Sequence, residues 1–224
     1  MTAESGRDAA LRRWGGIFEP MTVLTDVVLG AVAFVLAVRL GYAAAAEHAA
    51  AGVALAAALL AAAFAALLGA AAHGVDPHAE RELRARLWRG TLYVTGLVGA
   101  ASIAAVSLFA ARGAVRAAIL AFAALKLLAY LVKVTRRPEF SVAAVDYGGA
   151  LAILLAGAAY AAIRWRAPGA GWIIGGVLVS LAAGLVQARR VAPHRHFNHN
   201  DLYHVIQIVA LYMFYRGGVL LVDR

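Results

Sequence analysis

The sequence predicts an all-α, polytopic membrane protein, a bundle of seven transmembrane helices. Three observations carry this expectation. The 224 residues are 63% hydrophobic and only 15% charged, whereas about a quarter of the residues in a soluble domain are charged. Apolar runs long enough to cross about 30 Å of hydrocarbon recur along the chain with short gaps between them. The basic residues fall in those gaps, as membrane topology requires.

The chain opens on a polar arm, residues 1–21, with Arg12 and Arg13 beside Trp14 and Phe18. It has neither the short apolar core nor the small-residue cleavage site of a signal peptide. It reads as a retained cytoplasmic arm whose expected form is an interfacial helix. Residues 22–224 form the membrane domain, with spans expected near 22–43, 48–72, 88–111, 114–133, 140–163, 169–187 and 201–222. The second span is almost entirely Ala and Leu. Small residues let helices approach closely where lipid removes the hydrophobic drive between them, and the pairs Gly148-Gly149, Gly175-Gly176 and Gly217-Gly218 invite the same structural reading. The gap between the third and fourth spans is so short that the two must be antiparallel neighbours. Two longer polar loops, 74–87 and 188–200, both contain histidine.

Composition also excludes functions. With no Cys in the chain, disulfides, thiolate metal sites, iron–sulfur clusters and thiol catalysis are ruled out. The net charge of +9 does not indicate nucleic acid as a partner, because no basic patch interleaved with aromatic residues is present. Membrane lipid is the expected partner, and the oligomeric state is left open. Thirteen Lys and Arg residues fall on the side of the N-terminus and seven on the other, with Lys126 inside a span. This places the N-terminus in the cytoplasm and the C-terminus outside, in a cytoplasmic (inner) membrane.

Ionisable groups inside a bilayer are costly and mark function or specific pairing. The densest group opens the last span. At 100° per residue Asn200, Asp201, His204 and Gln207 share one helix face within about 120°. His199 points away from them unless the helix starts after it. His73 closes the second span on the same membrane side, and Asp26 lies about 6 Å into the first. His73 and His204 with an acidic neighbour form a candidate zinc site of imidazole and carboxylate donors. The alternative is a set of interfacial histidines that cap helix ends. His194 and His196 read as solvated loop residues. Deeper in, Lys126 and Asp146 lie at matched depths of roughly 10 Å on neighbouring helices, which predicts an ion pair, either structural or a proton relay. No second transmembrane His pair supports haem.

Seven spans, a His ending the second and a His-bearing motif opening the seventh resemble the alkaline ceramidase and adiponectin-receptor-like superfamily of membrane hydrolases. In that family a Ser-x3-His, an Asp near the start of the third helix and a His-x3-His build a zinc site that activates water against a lipid amide. The likeness spans the chain in architecture and a few residues in motif. His73 matches the family's second-helix histidine, and His204 the second histidine of the last motif. Gly69 stands where the family has Ser, and Asn200 where it has the first His. Asp76 is the nearest candidate for the third-helix Asp. The resemblance implies a hydrolase acting on a lipid amide or ester through zinc-activated water. His73, His204 and either His199 or Asp201 would be ligands, Asp76 or Asp26 the general base or an orienting partner, and Asn200 and Gln207 supporting polar groups. Two other readings stand beside it, a non-catalytic lipid-binding or receptor-like protein of the same fold and a small proton-linked transporter. The stretch 197–204 also resembles a motif of bacterial membrane proteins of unknown function.

The charge bias sets an expected outcome for topology. Reporter fusions at Ala79 and after Arg224 should report opposite sides of the membrane; the same side for both overturns the seven-crossing arrangement.

Overall fold

The computed structural model describes residues 13–224. The part of the expected arm before residue 13 lies outside the described residues. Where the arm is described it is not an interfacial helix. β1 (Arg13–Trp14) and β2 (Ile17–Phe18) pair antiparallel. The two-residue turn between them, Gly15-Gly16, takes φ of +55° and +89°, a conformation that glycine adopts without steric cost and that reverses the chain before a helix can start.

Seven helices follow among the described residues: α1 (Pro20–Ala46), α2 (Ala50–Gly74), α3 (Arg81–Ala110), α4 (Gly113–Arg136), α5 (Phe140–Trp165), α6 (Ala170–Ala188) and α7 (His199–Val219). Pro20 sits in the first turn of α1, where its missing N–H has no helical partner to lose. Helices α1 to α6 are each long and apolar enough to cross a membrane. Their starts lie within a few residues of the expected spans, except that α3 begins at Arg81 rather than near 88, so its first two turns are charged.

The packing forms a ring. Helix α1 packs on α2, α2 on α3, α3 on α5, α5 on α6, α6 on α7, and α7 closes back onto α1 and α2. Helix α4 lies outside, against α3, and buries only Ala123, Tyr130 and Val134. Small residues make the close approaches, as their positions suggest. A Cβ at Gly176 would sit 2.7 Å from the Phe214 ring, and one at Gly218 2.7 Å from Leu40. Gly148 and Gly149 are the exception, since both face open space rather than a neighbouring helix.

Polar contacts pin the ends and the outlier. The carboxylate of Asp223 accepts from the amides of Ala50 and Ala51 at 2.7 and 2.8 Å. It thereby satisfies N-terminal donors of α2 that Ala49 cannot cap. On α4, Tyr130 donates to the Leu92 carbonyl at 2.6 Å, and Lys126 Nζ lies 2.6 Å from Asp146 Oδ1 on α5. Gly99 of α3 makes room for this pair, since a Cβ there would meet Asp146 Oδ2 at 3.1 Å and Lys126 Nζ at 3.6 Å.

Removing one partner of such a pair leaves an uncompensated charge. Lys126→Met and Asp146→Asn should each lower the melting temperature in detergent, and the double variant should melt above the sum of the two losses, with a coupling of about 1–3 kcal/mol. Simple additivity refutes the pairing.

Candidate functional site

The site is built where α7 begins. Asn198 is the helix N-cap: its side-chain oxygen accepts from the amides of Asn200 (2.7 Å) and Asp201 (3.4 Å), and Asp201 Oδ2 accepts from the Asn198 amide at 2.7 Å. This reciprocal capping box satisfies donors that a buried helix start would leave orphaned. Asp201 Oδ1 accepts from the Thr22 hydroxyl of α1 at 2.8 Å, and Thr22 accepts from Asn198 Nδ2 at 3.2 Å. Asp201 is fully buried and both of its oxygens are committed. It is a structural cap and not the ligand or orienting group for His204 that the shared helix face suggests.

One turn further on, the pattern repeats. His204 Nδ1 lies 2.9 Å from Thr25 Oγ1, and Nε2 lies 3.2 Å from Asp26 Oδ1. Thr22, Thr25 and Asp26 fall at i, i+3 and i+4 on α1 and so face the same neighbour. The neutral imidazole that satisfies both contacts takes the Thr25 hydroxyl hydrogen on Nδ1 and donates from Nε2 to Asp26. The hydroxyl's other acceptor, the Thr22 carbonyl at 3.1 Å, belongs to the helical ladder. Beyond His204, Gln207 Nε2 donates to the Tyr203 hydroxyl at 3.4 Å, and Gln187 Nε2 on α6 donates to Asn200 Oδ1 at 2.7 Å.

These groups border a cavity of about 310 Å³ inside the ring. Asp26, Gly69, His73, Gln187, Asn200, Tyr203, His204 and Gln207 line one part, Thr91, Thr95 and Tyr147 add hydroxyls, and apolar residues including Leu29, Ala62, Ala65, Val98, Phe140 and Leu211 complete the lining. His73 and His204 therefore face one space, from α2 and α7. The His73 ring is held from outside the cavity, with Nδ1 3.0 Å from Glu19 Oε2, and Glu19 Oε1 lies 3.6 Å from Arg84. A second space of about 440 Å³, between α2 and α3, shares His73 and Trp88 and is edged by Arg81 and Arg84.

Other expected site residues lie elsewhere. Asp76 Oδ1 accepts from the amides of His78 (2.8 Å) and Ala79 (3.1 Å), holding the turn ahead of α3. His199 is the first residue of α7, points away from His204, and lines a third space of about 590 Å³ with Ser180 and Gly184. His194 and His196 stack on each other in the loop, with ring centroids 5.2 Å apart. Lys126 and Asp146 line none of the three spaces.

The donor atoms decide whether zinc fits. Among the described residues, no group of three or more His, Asp or Glu side chains is arranged to hold a metal ion. Both His204 nitrogens have partners, Thr25 and Asp26, Asp201 is consumed by capping, and His199 lies outside the cavity. Ligation would require His204 to exchange its Asp26 contact for a metal bond, so the described arrangement does not fit a zinc centre.

Some of this was open to sequence reasoning and some was not. Asn198-x-x-Asp201 is a capping-box pattern readable by eye. Thr22 and Thr25 gave no signal without knowing that α1 lies against α7, and Glu19 and Gln187 gave none at all.

The model of a family of unknown function (DUF6962) matches residues 21–222. No curated protein and no solved structure matches the chain.

The cap assignment sets an expected outcome. Asp201→Ala should destabilise the protein by at least the ~1 kcal/mol of a lost cap, with Thr22 and the Asn198 amide also left unpaired. Asp201→Asn, which keeps an acceptor for one of them, should melt between that variant and the wild type. Equal melting of Asp201→Ala and wild type refutes the role.

Proposed function

Because the chain belongs to the DUF6962 family, whose description names no activity, we propose a function from the site itself: this is a membrane protein that binds an amphiphilic molecule, polar end first, inside its helix ring. One observation carries the proposal, the division of the cavity wall by depth. At 1.5 Å per residue, Asp26 lies about 9 Å from the start of α1 and His204 about 8 Å from the start of α7, while Leu29 and Leu211 lie about 14 and 18 Å from those same ends. A cavity that is polar near one face of the bundle and apolar toward its middle matches a headgroup and the first part of a tail. Binding sites of a few hundred Å³ with a few placed polar groups are of the kind that hold small molecules.

In the same reading α7 is the seventh crossing, with the N-terminus cytoplasmic and the C-terminus outside the inner membrane. At about 32 Å it is long enough to span, although its polar opening keeps it out of the apolar set. Thr22 meets Asp201 near the starts of α1 and α7, and Leu40 meets Gly218 near their ends. The two helices thus run parallel over the same thickness, which supports an odd number of crossings.

A hydrolase acting on a lipid amide or ester is the second reading, favoured by His73, His204 and Asp26 lining one cavity. The transporter reading loses support, because Lys126 and Asp146 border none of the three spaces.

Protein purified in mild detergent should carry an amphiphile detectable by native mass spectrometry, and Ala62→Leu, which fills the apolar wall, should release it without loss of fold. Failure to capture or bind any amphiphile overturns the proposal. One equivalent of zinc in the purified protein, lost in His204→Ala, would favour the hydrolase instead.

A further inference from the structure

Resting on the amphiphile-binding reading, we infer that the polar end of the ligand is an amine. Among the described residues lining the cavity Asp26 has the one carboxyl group, no Lys or Arg is present, and the two imidazoles are engaged, His73 by Glu19 and His204 by Thr25 and Asp26. Asp26 Oδ1 faces His204 Nε2. Its Oδ2 is buried and has no hydrogen-bond partner, on a side chain only 6% exposed. Gly69 stands beside that oxygen: a Cβ there would lie 3.3 Å from Oδ2, so the glycine leaves free the space next to the orphaned acceptor.

A second unpartnered atom of the same wall, Gln187 Oε1, agrees in sign, while Gln207 is also engaged by the buried Tyr147 side chain and Ser180 Oγ lies outside this wall. Every unpartnered buried atom of the cavity lining is an acceptor. A buried acceptor without a donor carries a desolvation penalty, and a buried carboxylate without a countercharge a larger one. A carboxylate or phosphate headgroup would add acceptors and repel Asp26. A hydroxyl supplies a single hydrogen. An ammonium supplies three hydrogens and the missing positive charge, and the aromatic side chains of Trp88 and Tyr203 in the wall are suited to a cation. The tail then follows the apolar wall toward Leu211.

The test compares dodecylamine, dodecanol and dodecanoate as ligands for the full chain in phosphatidylcholine nanodiscs at neutral pH. The amine should bind at least about tenfold more tightly than the alcohol, as a charge-assisted hydrogen bond exceeds a neutral one, and the carboxylate should bind weakest. Asp26→Asn should remove the advantage of the amine while leaving the alcohol bound. Gly69→Ser offers a check if that variant folds poorly, because its hydroxyl would supply Oδ2 with a donor from the chain itself and erase the same preference. Adding phosphatidylethanolamine identifies the source: competition assigns the amine to a lipid headgroup, and its absence to a free long-chain amine, and either upholds the inference. Equal affinity for amine and alcohol, both lost in Ala62→Leu, overturns the amine while the amphiphile-binding reading stands. Binding of none of the three overturns both.

Discussion

The ring depends on the polar ladder between α1 and α7. Helix α7 opens on the polar run His199-Asn200-Asp201 with His204 and Gln207 following, and in an apolar medium each unpaired polar group on it would cost several kcal/mol. Its first two turns are tolerable because α1 presents a matching face: Thr22 to Asp201, then Thr25 and Asp26 to His204. A hydrogen bond of this kind contributes only about 1 kcal/mol, but leaving one half buried and unmade costs as much or more. The ladder therefore acts chiefly as a register device. Sliding α7 by one residue along α1 would unmake every rung together, so the arrangement is held by the expense of its alternatives.

Closing the ring in this way also determines what the cavity contains. Rungs near the face of the bundle are saturated: Asp201 has both oxygens paired and is fully buried. The deeper rung is not, because His204 offers Asp26 a single nitrogen and Gly69 offers it nothing. The same two helices thus supply a finished structural joint and, one turn further in, an unfinished one that borders open space. Thr25 makes the difference productive, since by holding Nδ1 it aims the other His204 nitrogen at Asp26 and fixes the wall that any occupant meets.

The fold was legible from sequence because its causes are local. Span lengths, loop charges and the Ala, Leu and Gly content are one-dimensional properties, and they place the helices to within a few residues apart from the early start of α3. The Gly15-Gly16 turn is equally local, but Trp14 and the arginines around it suggested an interface helix more strongly. At the site, the pattern His204, Asp201, Gln207 was visible as a helix face, yet its chemistry was not. Asp201 and His204 share that face, and only the partner helix separates them, one facing Thr22 as a cap and the other facing Asp26 at the cavity. His199 was correctly bound to its own angle: once α7 starts at His199, the residue must point away. Which helix closes the ring is a long-range fact, with Thr22 and Asp201 separated by 179 positions, and no periodicity encodes it.

Asp146 and Asp26 meet one physical problem in opposite ways. Asp146 has a cation from the chain at 2.6 Å, brought across from a helix that otherwise hardly enters the bundle. That contact gives α4, with its few buried residues, a fixed place against α3 and α5, and it leaves nothing for an outside group to do. Asp26 is at least as deeply buried and has only an imidazole on one oxygen. Nothing in the composition prevented a second lysine: the chain has 21 Lys and Arg residues, and none of those described lines this cavity wall. A carboxylate that was purely structural would be expected to be satisfied from within the chain, by a lysine as at Asp146 or by donors on both oxygens as at Asp201, since burial without either is costly whatever the fold. The contrast within one molecule separates the carboxylate that completes the scaffold from the one that faces its interior space, and it is the reason the proposed amine is placed at Asp26.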